Sequence, residues 1–217
     1  MTNAELQLRD GLKSLALTLN DQQVAQLLDY MALIGKWTKI YNLTAVRDPA
    51  EMMTHHLLDS LAAIAPLTRY LQGAGLEQGA RVLDVGSGAG LPGVVIAICC
   101  PDLVVTCVDT VAKKAAFIKQ AALALKLPNL TGLHARVESL VQPFDVICSR
   151  AFASLTDFTH WSVAALAPNG VWMALKGKHP ADELAALPET VEVFHVEQLQ
   201  VPGLAADRCI LWLRRKP

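Results

Sequence analysis

The stretch "RVLDVGSGAGLPGVVIAI", Arg81–Ile98, decides the fold. Arg81–Val85 is a short, mostly apolar run of the kind that makes a buried strand. Gly86, Gly88, Gly90 and Gly93 follow, and then a second apolar run begins. A strand that ends in a glycine turn and feeds a helix sets main-chain amides beside a ligand at the carboxyl edge of a sheet. Gly88–Gly93 has the spacing G-x-G-x-x-G, a pattern too common to name a ligand alone. A triphosphate cradle would need Lys and Ser or Thr after its last glycine, but Gly93 leads into Val94 and Val95.

Two acids narrow the choice. Asp109 ends the next apolar run, roughly twenty residues past Gly90, where a carboxylate accepts hydrogen bonds from ribose hydroxyls. A nicotinamide dinucleotide and S-adenosylmethionine both carry such a ribose. Asp84 stands two residues before Gly86. A carboxylate there can face the ammonium of a methionine moiety, and it would repel a pyrophosphate on the same turn. The bland alternative is that Asp84 only orders the turn. The coherent spacing of Asp84, the glycines and Asp109 favours the methyl donor.

Outward from the turn, apolar runs alternate with helical stretches. Strands are predicted at Arg81–Val85, Val104–Asp109, Leu130–His134, Phe144–Ser149 and Val171–Lys176, and helices around Pro92–Cys100, Val111–Lys126 and Asp157–Ala167. Such alternation predicts an α/β fold: a Rossmann-like doubly wound sheet, mostly parallel, with helices on both faces. Two extended runs surround "VPGLAAD" and predict an antiparallel C-terminal pair. Ahead of the sheet the texture is helical. Val24, Leu27, Leu28, Met31, Ile34 and Trp37 share one helix face, with Asn20 or Asp21 as N-cap. "DPAEMMTHHLLDSLAAIAPL" predicts a second amphipathic helix, opened by Pro49 and closed near Pro66, and "LQGAGLEQG" a glycine-rich joint. The expected organisation is an N-terminal helical segment, 1–70, packed on a domain spanning 71–217.

Composition sets the outer bounds. Hydrophobic residues are 53% of the 217 and charged residues 18%, enough apolar material for a sizeable core. The formal net charge of -1 gives no global signal for nucleic acid and leaves room for a local patch. No apolar run is long enough to span a bilayer, and "MTNAELQLRD" lacks signal-peptide character. The five cysteines include no C-x-x-C pair, which disfavours a zinc site or disulfide framework and fits a reducing cytoplasm.

At this point the sequence resembles a known family, the bacterial small-subunit ribosomal RNA guanine-N7 methyltransferases called RsmG, formerly GidB. The marks are "KWTKIYNLTAVRDPAEMMTHHLLDSL", "LDVGSGAGLPG", "VDTVAKKAAFI", "RVE", "SRAFASL" and "LKGK"; Thr110 is a small departure, where serine is expected. The resemblance implies a class I methyltransferase fold, S-adenosyl-L-methionine as donor, and 16S ribosomal RNA or an assembling small subunit as partner. It places Gly86, Leu91, Val137, Glu138 and Arg150 in the donor site, beside Asp84, Gly88, Gly90 and Asp109. A methyltransferase of the same fold with another RNA or small-molecule substrate, and a non-catalytic nucleotide-binding protein, are the rivals.

The residues bear on the chemistry. Enzymes that methylate exocyclic amines commonly carry an Asn/Asp-Pro-Pro-aromatic turn after the fourth strand, where this chain has "CSRAFASL". Cys148 raises pyrimidine C5 methylation by a nucleophilic thiol, but the usual Pro-Cys pair is absent, and a small buried strand-end residue is the simpler reading. Guanine N7 has a free in-plane lone pair and needs no base, so alignment and dehydration suffice. Arg150, with Lys176, is expected to orient without moving a proton. Asn42, Arg47, His56, Lys113, Lys114 and Lys176 make up the expected RNA face, with Trp37, Tyr41 and Phe152 as stacking candidates. Lys36 and Lys39 lie near it, while Lys119 and Lys126 fit a solvated helix face and Trp37 also fits its apolar stripe. His55 or His56 can meet Asp59 at helical spacing. With no third ligand, that group predicts a packing or RNA-entrance pair and no metal.

Overall fold

A computed structural model of the chain describes residues 2–41, 43, 44, 46 and 48–216. Two helices lead, α1 (Asn3–Ser14) and α2 (Asp21–Tyr41). The N-cap of α2 is Asn20. Its Oδ1 accepts from the Gln23 amide at 2.9 Å, while Gln23 Oε1 accepts from the Asn20 amide at 3.1 Å. This reciprocal pair satisfies two of the amides that a helix start leaves unbonded. The buried stripe of α2 is Val24, Leu27, Tyr30, Ile34 and Thr38, so Tyr30 belongs to the core face.

The single helix predicted from Pro49 to Pro66 is broken. It runs as α3 (Pro49–Met52), a π-helical turn (Met53–Leu58) and α4 (Asp59–Leu61), and then α5 (Ile64–Ala74) starts afresh. Pro66 does not close a helix. It sits in the first turn of α5, where an absent amide hydrogen costs nothing. The "LQG" of the predicted joint is the last turn of α5, which ends on Gly75 at φ 68, in the left-handed region suited to glycine.

The sheet has seven strands: β1 (Arg81–Val85), β2 (Val104–Asp109), β3 (Leu130–His134), β4 (Phe144–Arg150), β5 (Leu166–Lys176), β6 (Val191–Leu199) and β7 (Arg208–Arg215). Their order is β3-β2-β1-β4-β5-β7-β6, the first five parallel and β7 antiparallel to both β5 and β6. The connecting helices are α6 (Gly93–Cys99), α7 (Ala112–Ala124), α8 (Leu155–Ser162) and the short α9 (Ala181–Ala185). The helix predicted through Ala167 stops earlier. A 3-10 turn, Val163–Ala165, follows α8, and β5 begins at Leu166, five residues before the expected start.

Strand side chains alternate between two cores. Val82, Val146, Cys148, Met173, Leu175, Ile210 and Trp212 pack with the N-terminal helices, α6 and α7. Leu83, Ile147, Trp172, Ala174, Cys209 and Leu211 pack on the opposite face with α8. This parity also decides which way each charged residue at the carboxyl edge turns.

Candidate functional site

The glycine turn lies where β1 meets α6, and side chains fix it from three directions. Asp84 is fully buried, and its Oδ2 accepts from the Gly93 amide at 2.8 Å, capping the start of α6. Its Oδ1 is buried with no partner among the described residues. Burial raises the Asp84 pKa to about 7, against the pull of the Gly93 amide and of Arg150. Asp109 takes two main-chain donors, the Gly88 amide at 2.9 Å and the Val111 amide at 2.8 Å, so the acid of β2 ties the turn to its own strand. From α2, the buried Tyr30 hydroxyl donates to the Ala89 carbonyl at 2.6 Å, and burial keeps this phenol protonated by pushing its pKa up. Gly86 has φ +65, and the Phe152 ring occupies the space that a side chain at that position would need.

Two cavities meet at Gly86. The smaller, about 220 Å³, is bounded by Asp109, Val137, Glu138, Phe152 and Trp161, and the larger, about 480 Å³, by Leu91, His56, Asp59, Arg150, Lys176 and Arg208. Asp84 lines neither; it lies beneath the turn. Val137 is buried, while Glu138 is exposed in a 3-10 turn. Phe152 stands edge-on to Trp161 at 5.9 Å, at the smaller cavity, and its ring packs over Gly86. Among the described residues no group of three or more His, Cys, Asp or Glu is placed to hold a metal ion, and no helix is long and apolar enough to cross a membrane.

The larger cavity holds an ion cluster that the spacing of residues did not predict. Asp59, 6% exposed at its side chain, accepts from Arg150 Nη1 at Oδ2 and from Arg208 Nε at Oδ1, both at 2.7 Å. Arg150 Nη1 also donates to the His55 carbonyl at 3.2 Å. Arg150 and Arg208 share the strand parity of Cys148 and Ile210, so both turn toward the N-terminal helices and reach Asp59. The expected pairing of His56 with Asp59 does not form. The carboxylate is held by the two guanidiniums, and His56 Nε2 instead meets Thr44 Oγ1 at 2.6 Å. Burial and Arg150 lower the His56 pKa, which keeps the ring neutral. Lys176 has the opposite parity and turns toward α8. Glu183 holds its ammonium at 2.8 Å, and the Ala153 carbonyl accepts from it at 2.9 Å.

The remaining expected RNA residues divide. Lys113 lies over the Tyr41 ring at 5.4 Å, at the end of α2, whereas Lys114 approaches Asp109 Oδ2 at 3.9 Å. Asn42 and Arg47 lie outside the described residues. Trp37 packs edge-on to the buried Phe117 at 5.3 Å, as its place on the apolar stripe predicts. Cys148 is fully buried, and burial raises its thiol pKa well above the ordinary value. Arg208, Asp59 as a shared acceptor, and Tyr30 were missed by the sequence reading. The parity of Arg208 with Ile210 and Trp212 was the available signal for its direction.

A seven-stranded sheet in this order, with its last strands antiparallel and a glycine turn after β1, defines the class: this is a class I methyltransferase fold. Its likeness to solved structures agrees. Magnesium protoporphyrin IX methyltransferase from Synechocystis PCC 6803, solved with bound SAM, is similar over 92% of this chain and 99% of its own at TM-score 0.59 and 16% identity. A SAM-dependent methyltransferase from Thiobacillus denitrificans in complex with S-adenosyl-L-homocysteine matches 70% of this chain and 90% of its own at TM-score 0.52 and 16% identity. The family follows from sequence. Residues 23–211 match the GidB model, described as rRNA small subunit methyltransferase G, and the chain belongs to that family. The ribosomal RNA small subunit methyltransferase G of Polaromonas sp. strain JS666 is 76% identical over 216 residues, covering 100% of this chain and 96% of that protein.

Proposed function

We propose that this protein methylates guanine N7 in 16S ribosomal RNA, free or in an assembling small subunit, and that it works in the cytoplasm. The observation that carries the reading is the junction of the two cavities on the glycine turn, with Asp109 on one side and two guanidiniums on the other. The donor is S-adenosyl-L-methionine, which when bound supplies an electrophilic methyl group that a ring nitrogen lone pair can take directly.

The residues fit this donor. Asp109 keeps acceptor capacity beyond its two amide bonds and faces the smaller cavity, the position for ribose hydroxyls. Val137 and Glu138 line the same cavity, which suits the adenosine end. Gly86, Gly88, Gly90 and Leu91 supply the close main-chain approach. Asp84 Oδ1, a buried carboxylate oxygen with no partner among the described residues, lies beneath the turn, where its charge would favour a methionine ammonium held on that turn. Arg150 orients without moving a proton, because a guanidinium offers fixed donors and no acceptor. Lys176, held by Glu183, fixes the end of β5. His56 and Lys113, with Asn42 and Arg47, form the approach to the RNA, while Lys114 turns to Asp109 on the donor side. The buried Cys148 thiol argues against covalent attack on a pyrimidine ring.

The test is methylation of small-subunit RNA from cells lacking this protein, using labelled donor. Reductive cleavage at 7-methylguanine then maps the product. The expected result is cleavage at one guanine; label on an exocyclic amine or a ring carbon would overturn the N7 assignment.

A further inference from the structure

We propose that Arg208 seats a phosphodiester of the RNA strand beside the reacting base, and that Asp59 is the positioning residue that fixes this seat relative to Arg150. The inference rests on the ribosomal RNA reading above. Its first support is place. Arg150 ends β4, one strand from β1, so roughly 5 Å across the sheet separates it from the glycine turn. Arg208 begins β7, three strands from β1, or roughly 14 Å. A donor seated by Asp109 on β2 lies on the far side of β1. Arg208 therefore stands on the acceptor's side of the larger cavity.

The second support is charge. One carboxylate between two guanidiniums leaves a net single positive charge, matched to one phosphodiester. The other cation of the cavity wall, Lys176, is already paired with Glu183. The third is directed hydrogen bonding. Arg208 commits Nε to Asp59 and Nη1 to the Asp207 carbonyl, and Nη2 donates to no described residue. Its side chain is 25% exposed at the cavity wall, while Asp59 is 6% exposed. A guanidinium held by a buried carboxylate presents its remaining donors in a fixed direction, which suits a phosphate oxygen better than a swinging lysine would.

Equilibrium binding of a small-subunit ribosomal RNA fragment across a range of potassium chloride tests the seat, with donor affinity read by calorimetry on the same full-length proteins. Arg208→Gln is expected to lower RNA affinity about tenfold and to make the salt slope shallower by about 0.7. Donor affinity should stay unchanged. Arg208→Lys should keep the wild-type slope. An unchanged slope in Arg208→Gln would overturn the seat, and a loss confined to donor affinity would move Arg208 to the donor's carboxylate. Asp59→Asn keeps both cations and removes the charge between them, so it should make the slope no shallower and lower kcat, and Asp59→Glu should recover part of the rate. Unchanged kcat in Asp59→Asn would overturn the positioning role. Failure of the wild type to methylate the RNA would overturn the ribosomal RNA reading alone, since the slope comparison needs no turnover.

Discussion

The two cavities are built by different means. The smaller is lined by residues at or just past the ends of β1, β2 and β3 and closed by Phe152 and Trp161, and the acids at the turn, Asp84 and Asp109, act on amides within nine residues or one strand away. The larger shares the glycine turn and adds side chains drawn from the π-helical turn, α4, β4, β5 and β7. Its central contact joins Asp59 to Arg208, 149 positions apart in the chain. A donor common to many enzymes can be held by backbone geometry that a short motif encodes. An acceptor peculiar to one enzyme must be met by side chains that the tertiary fold gathers.

If that division holds, substitutions on the two sides separate donor affinity from turnover on RNA. The largest effect is expected at Arg150. Its Nη1 bonds both Asp59 and the His55 carbonyl from a rigid planar guanidinium, a placement that the shorter, flexible stem of lysine does not keep. Arg150→Lys should lose about a hundredfold in kcat, the scale of a misalignment near 1 Å, with the melting temperature little changed. A loss confined to donor affinity would instead put Arg150 wholly on the donor side. Next is Asp84. With its pKa near 7, donor affinity should weaken about tenfold between roughly pH 8 and roughly pH 6, if the carboxylate must be ionised to meet an ammonium. Asp84→Asn should bind weakly at both pH values. Stability without donor runs the other way. The folded carboxyl holds its proton more tightly than the unfolded one, whose ordinary pKa is 3.8, so the stabilisation is present at low pH and is lost as pH rises through about 7. A donor affinity independent of pH would mean that Asp84 only orders the turn. At saturating donor, kcat should be flat through neutrality; a bell with a pKa near that of histidine would make His56 a candidate base.

The sheet was legible because its strands are short apolar runs buried on both faces and its turn carries glycines at fixed spacing. β1, β2 and β3 begin and end where the pattern predicts. The helical segment was less legible. Leu57, Leu58 and Leu61 satisfy an ordinary helical stripe, and nothing in that stripe announces a π-helical turn at Met53–Leu58. That turn carries His55 and His56, and Asp59 follows it directly. A residue-pair argument based on i to i+4 spacing therefore predicted a His–Asp contact, and the sheet supplied two arginines instead. Arg208 was invisible for a related reason: it opens a strand of the C-terminal pair, far from any motif, and only the sheet order brings β7 beside β5.

A smaller effect is expected where the helical segment supports the donor side. Tyr30→Phe removes the 2.6 Å bond to the Ala89 carbonyl and changes no ring packing. Leaving a buried carbonyl unmet should cost roughly 1–3 kcal/mol of stability, read by denaturant unfolding. Donor affinity should fall modestly with it, while the salt slope of RNA binding stays unchanged. A change in that slope would show that α2 reports to the RNA side, and would blur the division.

The smallest effect is the sharpest test, because it separates two neighbours in sequence. Lys113 and Lys114 begin α7 side by side, yet they point to different partners. Lys114 approaches the Asp109 carboxylate at 3.9 Å and so belongs to the donor side. Lys113 lies over Tyr41 at the end of α2, where a cation beside an exposed aromatic ring suits a phosphate next to an unstacked base. Lys113→Ala should reduce the salt slope of RNA binding by about 0.7, one phosphate on a single strand, and leave donor affinity unchanged. Lys114→Ala should do the reverse, altering donor affinity slightly and keeping the slope. Lys113 is exposed and Lys114 half-buried, and neither belongs to the core, so neither variant should alter the melting temperature. Equal slopes in both variants would mean that the lysines act only as a diffuse positive field. The boundary between the two sides would then run between β2 and α7, not between these adjacent residues.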